Sequence, residues 1–163
     1  MVAERLQAFG CRLIACDPAW NPQRAEQFGV EQVELAELLA ESDILSLHLP
    51  VGPGTFHFIG SQQLEKMKPG AFIINTSRGG IVDDGALIEN LHNGHLGGAA
   101  LDVFEDEPDP ARYTNVPNLI ASPHVGSNTV EARYRMEIGA VKNLIAFVKA
   151  KEAGKEPIAG LDS

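Results

Sequence analysis

Short apolar runs closed by turn residues alternate along this chain with segments whose apolar residues recur every three or four positions. The short runs are residues 11–16, ending at Asp17-Pro18; a brief run at 31–33; 43–49, closed by Pro50; 71–75; Gly98–Leu101; and Leu119–Ala121. Each reads as a strand. Between them, residues 2–9 form a helical pattern stopped by Gly10, 24–28 a short helix stopped by Gly29, 34–40 a helix rich in Leu and Ala, and 61–67 another helix. A further helix is capped by Asp83 or Asp84, carries Leu87, Ile88 and Leu91 on one face and ends at Gly94. The last helix is opened by a capping box of Asn128 and Glu131, and Tyr134, Ile138, Val141, Ile145 and Val148 form one stripe along it. Residues 151–163 are polar with Gly and Pro and read as a tail. Strands alternating with helices predict an α/β fold with a doubly wound parallel sheet, and the small residues of Gly98–Leu101 predict close packing on that strand.

Composition narrows the possibilities. With 163 residues there is material for one domain with a sizeable core, and no apolar run approaches the ~20 residues of a membrane span. The opening Met1-Val2-Ala3-Glu4-Arg5 lacks the apolar core of a signal peptide. A net charge of −9 argues against a nucleic-acid partner, because that binding relies on phosphate neutralisation by Lys and Arg. The two cysteines, Cys11 and Cys16, fall on one predicted strand and face opposite sides, which argues against a disulfide between them. They read as small buried residues in a reducing cytoplasm.

The chemistry lies in three blocks, each just past a predicted strand: Asn75-Thr76-Ser77-Arg78-Gly79-Gly80, the run from Ala100 through Asp102-Val103-Phe104-Glu105-Asp106-Glu107-Pro108, and Ser122-Pro123-His124-Val125-Gly126-Ser127. In an open α/β sheet the carboxyl ends of the strands form the ligand-binding edge. An arginine there can hold a carboxylate with two parallel hydrogen bonds, and a histidine backed by a carboxylate can serve as a general acid/base. Glu105, Asp106 and Glu107 are equally placed by position to back that histidine. Asp17 ends the first predicted strand, where a dinucleotide-binding unit carries an acidic residue ~20 positions after a glycine-rich turn. Counting back from Asp17 reaches Met1 before any such turn, so the first strand and its phosphate-binding glycines are expected to be absent from this sequence. His48, His57, His92 and His95 show no metal-ligand spacing, and structural or surface roles are expected of them.

Together with Ser46-Leu47-His48-Leu49-Pro50 and Met67-Lys68-Pro69-Gly70, these blocks resemble the D-isomer-specific 2-hydroxyacid dehydrogenases, a family that includes phosphoglycerate dehydrogenase and the glyoxylate/hydroxypyruvate reductases. The likeness spans roughly residues 1–150. It implies a Rossmann-like domain lacking its first strand and glycine turn over residues 1–127, a returning helix over 128–150, and a tail at 151–163 leading toward a substrate domain. It implies an oxidoreductase moving a hydride between NAD, rather than NADP, and a D-2-hydroxy acid or 2-keto acid, with no metal, in a cytoplasmic homodimer. By the resemblance Arg78 orients the substrate carboxylate, His124 carries the proton and Glu107 is the histidine's partner. The cofactor would be lined by Asp17, Pro50, Thr55, Thr76, Ser77, Arg78, Asp102, His124 and Gly126. Phe56 stands where the family usually has a basic residue after the threonine. A glutamate at 107 disfavours formate dehydrogenase. The alternatives are an NAD-sensing corepressor similar to the C-terminal-binding proteins and an inactive truncated form of the dehydrogenase.

Overall fold

A computed structural model describes residues 2–105 and 111–154. The chain divides into two compact units, Met1–Pro123 and His124–Ser163. The first contains, in order, α1 (Val2–Gln7), β1 (Leu13–Ala15), α2 (Pro22–Gln27), β2 (Val30–Gln32), α3 (Leu35–Glu41), β3 (Ile44–Leu47), α4 (Ser61–Leu64), β4 (Phe72–Asn75), α5 (Asp84–His92), β5 (Gly98–Leu101), a single 3-10 turn (Ala111–Tyr113) and β6 (Leu119–Ala121). The second contains α6 (Val130–Glu152).

All strand pairs are parallel, as the βαβ alternation requires. They form a two-stranded sheet, β1-β2, and a four-stranded sheet in the order β3-β4-β5-β6. These are the two flanks of the 3-2-1-4-5-6 order of a doubly wound sheet. Among the described residues β1 pairs only with β2 and β3 only with β4, so each keeps one edge without a partner strand. The smaller sheet is pinned by Arg12, whose guanidinium lies 2.8 Å from Glu31 of β2 and 2.5 Å from Glu41 of α3. Hydrogen bonding to Arg12 holds the Glu31 carboxyl below the usual carboxylate range.

The core lies on one face of the four-stranded sheet. Leu45 and Leu47 of β3, Ile73 of β4, and Ala99 and Leu101 of β5 alternate inward and pack with Leu39, Leu64, Leu87 and Leu91 from α3, α4 and α5. The residues between them point the other way: Ile44, Phe72 and Ile120 are exposed. Gly98 is obligatory on this side, because a Cβ there would sit 2.9 Å from both the Asn118 carbonyl and the Phe72 ring. That crowding accounts for the small residues of β5.

The helix boundaries follow their caps. Asn21 opens α2 by accepting the Arg24 N–H, with Pro22 at the first helical position. Of the two candidate caps of α5, Asp83 performs the role, accepting the Ala86 N–H at 3.0 Å, while Asp84 turns inward and is buried. At α6 the expected Asn128 cap is replaced by Thr129, whose hydroxyl accepts the Ala132 N–H at 3.1 Å. The Asn128 N–H donates to the Val125 carbonyl, so that residue belongs to the preceding turn and the helix starts one position later. The helix also runs through Glu152, beyond the predicted start of the tail.

Cys11 and Cys16 depart from expectation: both are exposed free thiols. The paired part of their strand is only Leu13–Ala15, so each cysteine lies just outside the hydrogen-bonded segment. β3 and α4 are likewise shorter than their apolar patterns, whereas β5 and β6 match theirs.

The alternation yields a contrast in stability. Ile73→Ala should cost about 2–5 kcal/mol, because it empties a fully buried site. Ile120→Ala, at a position 72% exposed, should stay within about 0.5 kcal/mol. Urea midpoints that shift equally would overturn the assignment of the two faces.

Candidate active site

Because β3, β4 and β5 are parallel and in register, their carboxyl ends meet on one edge. Residues 48–51 leave β3 there, 76–78 leave β4 and 102–105 leave β5. His48, Leu49, Pro50, Val51, Ser77 and Arg78 line an open cleft of about 440 Å³.

Asn75 builds the turn that presents Arg78. It is 2% exposed, and its side chain spends its hydrogen bonds locally: Nδ2 donates to the Arg78 carbonyl at 2.9 Å and Oδ1 accepts the Ser77 N–H at 3.1 Å. Ser77 donates its hydroxyl to the Leu47 carbonyl at 2.5 Å, tying this turn to the end of β3. The turn is therefore fixed from below, and the Arg78 side chain is left exposed above it, one nitrogen donating to the Ser77 carbonyl at 2.6 Å. Gly79 follows for a steric reason: a Cβ there would lie 2.1 Å from the Phe104 carbonyl oxygen. Gly80 adopts φ +76, a left-handed conformation favouring glycine.

The other predicted site residues fall into distinct places. Pro50, Ser77 and Arg78 share the cleft. Thr55 closes the loop after β3 by donating its hydroxyl to the Pro50 carbonyl at 2.6 Å. Thr76 is exposed at the end of β4. Asp102, 8% exposed at the end of β5, accepts the Ser122 hydroxyl at 2.7 Å, and its N–H donates to the Asn75 carbonyl at 3.0 Å. Asp17 follows β1, in the smaller sheet, and accepts the Ala19 N–H at 2.7 Å. His124 opens the second unit, three residues after β6, with φ +53, an uncommon backbone state for a residue with a Cβ; Gly126 follows it. Glu107 lies outside the described residues.

Two groups near this edge were not legible as sites. His57, expected to be structural or at the surface, meets two carboxylates: Nε2 is 2.8 Å from Glu105 Oε1 and Nδ1 3.7 Å from Asp83 Oδ2. Ligand-capable atoms of His57, Asp83 and Glu105 all lie within 4.8 Å of one another, so the absence of metal spacing along the chain does not hold in space. These residues are separated by 26 and 22 positions, and no local spacing could have signalled them. The second group is Asp84, which is buried. It accepts the Glu105 N–H at 2.9 Å and the Tyr113 hydroxyl in a short hydrogen bond. Burial pushes the Asp84 carboxyl above its usual range, and these two hydrogen bonds only partly offset it. Burial and the Asp84 hydrogen bond raise the Tyr113 phenol in turn.

Parallel sheets interleaved with helices, with a cleft and a fixed arginine at the carboxyl edge, define a Rossmann-like α/β nucleotide-binding architecture. The sequence profile of the "D-isomer specific 2-hydroxyacid dehydrogenase, NAD binding domain" matches residues 1–126. The glyoxylate reductase of Thermococcus litoralis is 44% identical over 155 residues, covering 92% of this chain and 46% of that protein. A glyoxylate reductase structure from Paecilomyes thermophila superimposes with a TM-score of 0.85 at 38% identity, over 90% of this chain and 45% of that one. The NAD-complexed D-isomer specific 2-hydroxyacid dehydrogenase of Lactobacillus delbrueckii ssp. bulgaricus gives 0.83 at 33% identity, over 99% and 52%. This chain belongs to the D-isomer-specific 2-hydroxyacid dehydrogenase family and carries residues of its NAD-binding domain. It spans about half the length of these relatives.

The buried Asp84 has a consequence for pH. A carboxyl whose pKa is raised on folding binds more protons in the native state than in the unfolded chain. Its contribution to stability is therefore greatest in acid and falls as pH rises from the ordinary carboxylate range through the raised value. Asp84→Asn removes this titration. The stability of the native sequence relative to that variant should decline as pH rises above about 4 in urea denaturation. A difference that instead grows with pH would mean that Asp84 is stabilised as the anion.

Proposed function

We propose that the protein containing this domain catalyses the reversible, NAD-dependent oxidation of a D-2-hydroxy acid to the 2-keto acid, with small keto acids of the glyoxylate class as substrates. The observation that carries this reading is Arg78, held at the cleft by the buried amide of Asn75 in a chain of this family. A guanidinium stays charged throughout the working pH range and matches a carboxylate with two hydrogen bonds, so Arg78 binds the substrate carboxylate and orients C2.

His124 is the proton carrier: it takes the C2 hydroxyl proton in oxidation and returns it to the keto oxygen in reduction. Glu107 is assigned, by the family resemblance, as the histidine's carboxylate partner. The residues at the strand ends suit a dinucleotide. Leu49, Pro50 and Val51 offer an apolar wall, Asp102 a fixed buried carboxylate for an amide, and Asp17 an acceptor for ribose hydroxyls. A carboxylate at position 17 repels a 2′-phosphate, which favours NAD over NADP. NAD, when bound, supplies the hydride acceptor in oxidation and its reduced form the donor in reduction. Thr55, Thr76, Ser77 and Gly126 complete the cofactor's surroundings. We assign the activity to a cytoplasmic homodimer that needs no metal. Among the described residues no helix is long and apolar enough to cross a membrane.

Initial rates with glyoxylate and related keto acids, using NADH and NADPH in parallel, test this reading in the whole protein. His124→Ala should lower kcat by about 10²–10⁴-fold while leaving the cofactor Kd within its normal range. Arg78→Lys should be nearly as damaging to kcat/KM, because an ammonium cannot reproduce the planar fork. Near-normal kcat in the His124 variant would place the proton carrier elsewhere.

A further inference from the structure

We propose that His57 is a positioning residue: its imidazole, through Glu105 and Asp83, clamps the loops after β3, β4 and β5 together and so sets the placement of Arg78 and of residues 102–105 after β5. The inference deepens the oxidoreductase reading and rests on it for the kinetic part of its test.

The clamp begins in the backbone. The His57 N–H donates to the Gly80 carbonyl at 2.7 Å, Ile59 N–H to Ile81 at 3.0 Å, and Asp83 N–H to Ile59 at 3.0 Å. This short parallel bridge, Ile59 against Val82, fastens the loop after β3 to the segment that leaves Arg78. Its first residue, His57, is left-handed at φ +50, a state that a residue with a Cβ keeps only where its surroundings hold it. Two contacts do so: the ring stacks on Phe56 with centroids 4.0 Å apart, and Nε2 reaches Glu105 at 2.8 Å. An ionised carboxylate can only accept, so Nε2 carries the hydrogen.

Glu105 is the node. Its Oε1 takes the His57 ring N–H and also the Asp84 N–H at 3.1 Å, while its own N–H donates to the Asp84 carboxylate at 2.9 Å. The end of the β5 loop is thereby bound reciprocally to the first turn of α5. Arg112 stands 3.9 Å from the other Glu105 oxygen, and Asp83 3.7 Å from the second ring nitrogen of His57. The two loops joined this way already touch where Gly79 faces the Phe104 carbonyl, so a shift in one must displace the other. A solvated ion pair would not behave so: the Glu105 side chain is only 22% exposed, and its contacts reach three loops rather than one neighbour.

The test separates ring from backbone in the whole protein. His57→Gly keeps the left-handed backbone and removes the imidazole; His57→Asn tolerates the same backbone and restores an N–H. Under the proposal His57→Gly speeds amide hydrogen exchange at Asp84 and Glu105 by about tenfold. It also lowers kcat with keto acid by about tenfold to a hundredfold while leaving the cofactor Kd unchanged. His57→Asn recovers part of both losses, and adding His57→Gly to Glu105→Ala costs little more than Glu105→Ala alone. Native exchange and kcat in the Gly variant, or losses that simply add, would overturn the clamp. A wild-type protein without hydride transfer would count against the oxidoreductase reading instead, and amide exchange alone would then decide the role of His57.

Discussion

The carboxyl edge of the sheet depends on one buried amide. Asn75 ends β4 inside the core, where an unpaired polar side chain would be costly, and it meets that demand by bonding the two backbone groups of the turn directly above it. The need to satisfy a buried amide and the need to hold Arg78 still are therefore met by the same hydrogen bonds. Ser77 extends this to β3 and the Asp102 N–H extends it to β5, so that neighbouring strand ends are tied through position 75 and its turn. A guanidinium on a long flexible stem becomes a usable anchor because its backbone has no freedom left to lose.

Around this point the backbone is packed too closely for substitution. Gly79 and Gly98 are required by carbonyl oxygens that occupy the space of a Cβ, one at the loop above the sheet and one within it. The same closeness brings the acidic residues of α5 and of the β5 loop together, and the structure manages that charge unequally. Asp83 is partly exposed and caps a helix; Glu105 accepts two donors; Asp84 is buried and held by Tyr113, with its proton affinity raised by burial. Three neighbouring carboxylates of similar chemistry thus have three different roles, decided by solvent access and by the donors each one meets.

Alternating apolar runs, the helix stops at Gly10, Gly29 and Gly94, and the order of the three blocks were legible in the sequence because each is a local pattern. So were the parallel sheet and the family, which both follow from pattern and spacing. The apolar face of α5 that carries Leu87 and Leu91 was legible from periodicity, whereas the uninterrupted apolar run of β4 did not single out Ile73. Where a local rule offered two answers, as at Asp83 and Asp84, the choice turned on which side chain the core had claimed; at α6 the cap is Thr129 rather than the expected Asn128, because Asn128 belongs to the preceding turn. β1 and β3 are shorter than their apolar runs for a related reason: apolar character continues past the last residue that finds a partner, as Cys11 and Cys16 illustrate.

The sequence by itself determined the fold class, the family and the kinds of side chain at each strand end, since these depend on residue type and on separations of a few positions. Only the tertiary structure decided that Asn75 supports Arg78, that Asp84 is buried against Tyr113, and that His57 meets Glu105 across 48 positions. Such contacts are set by the parallel register that stacks distant strand ends on one edge. No spacing along the chain encodes that register for a single histidine and glutamate, because it is the whole sheet that brings them together.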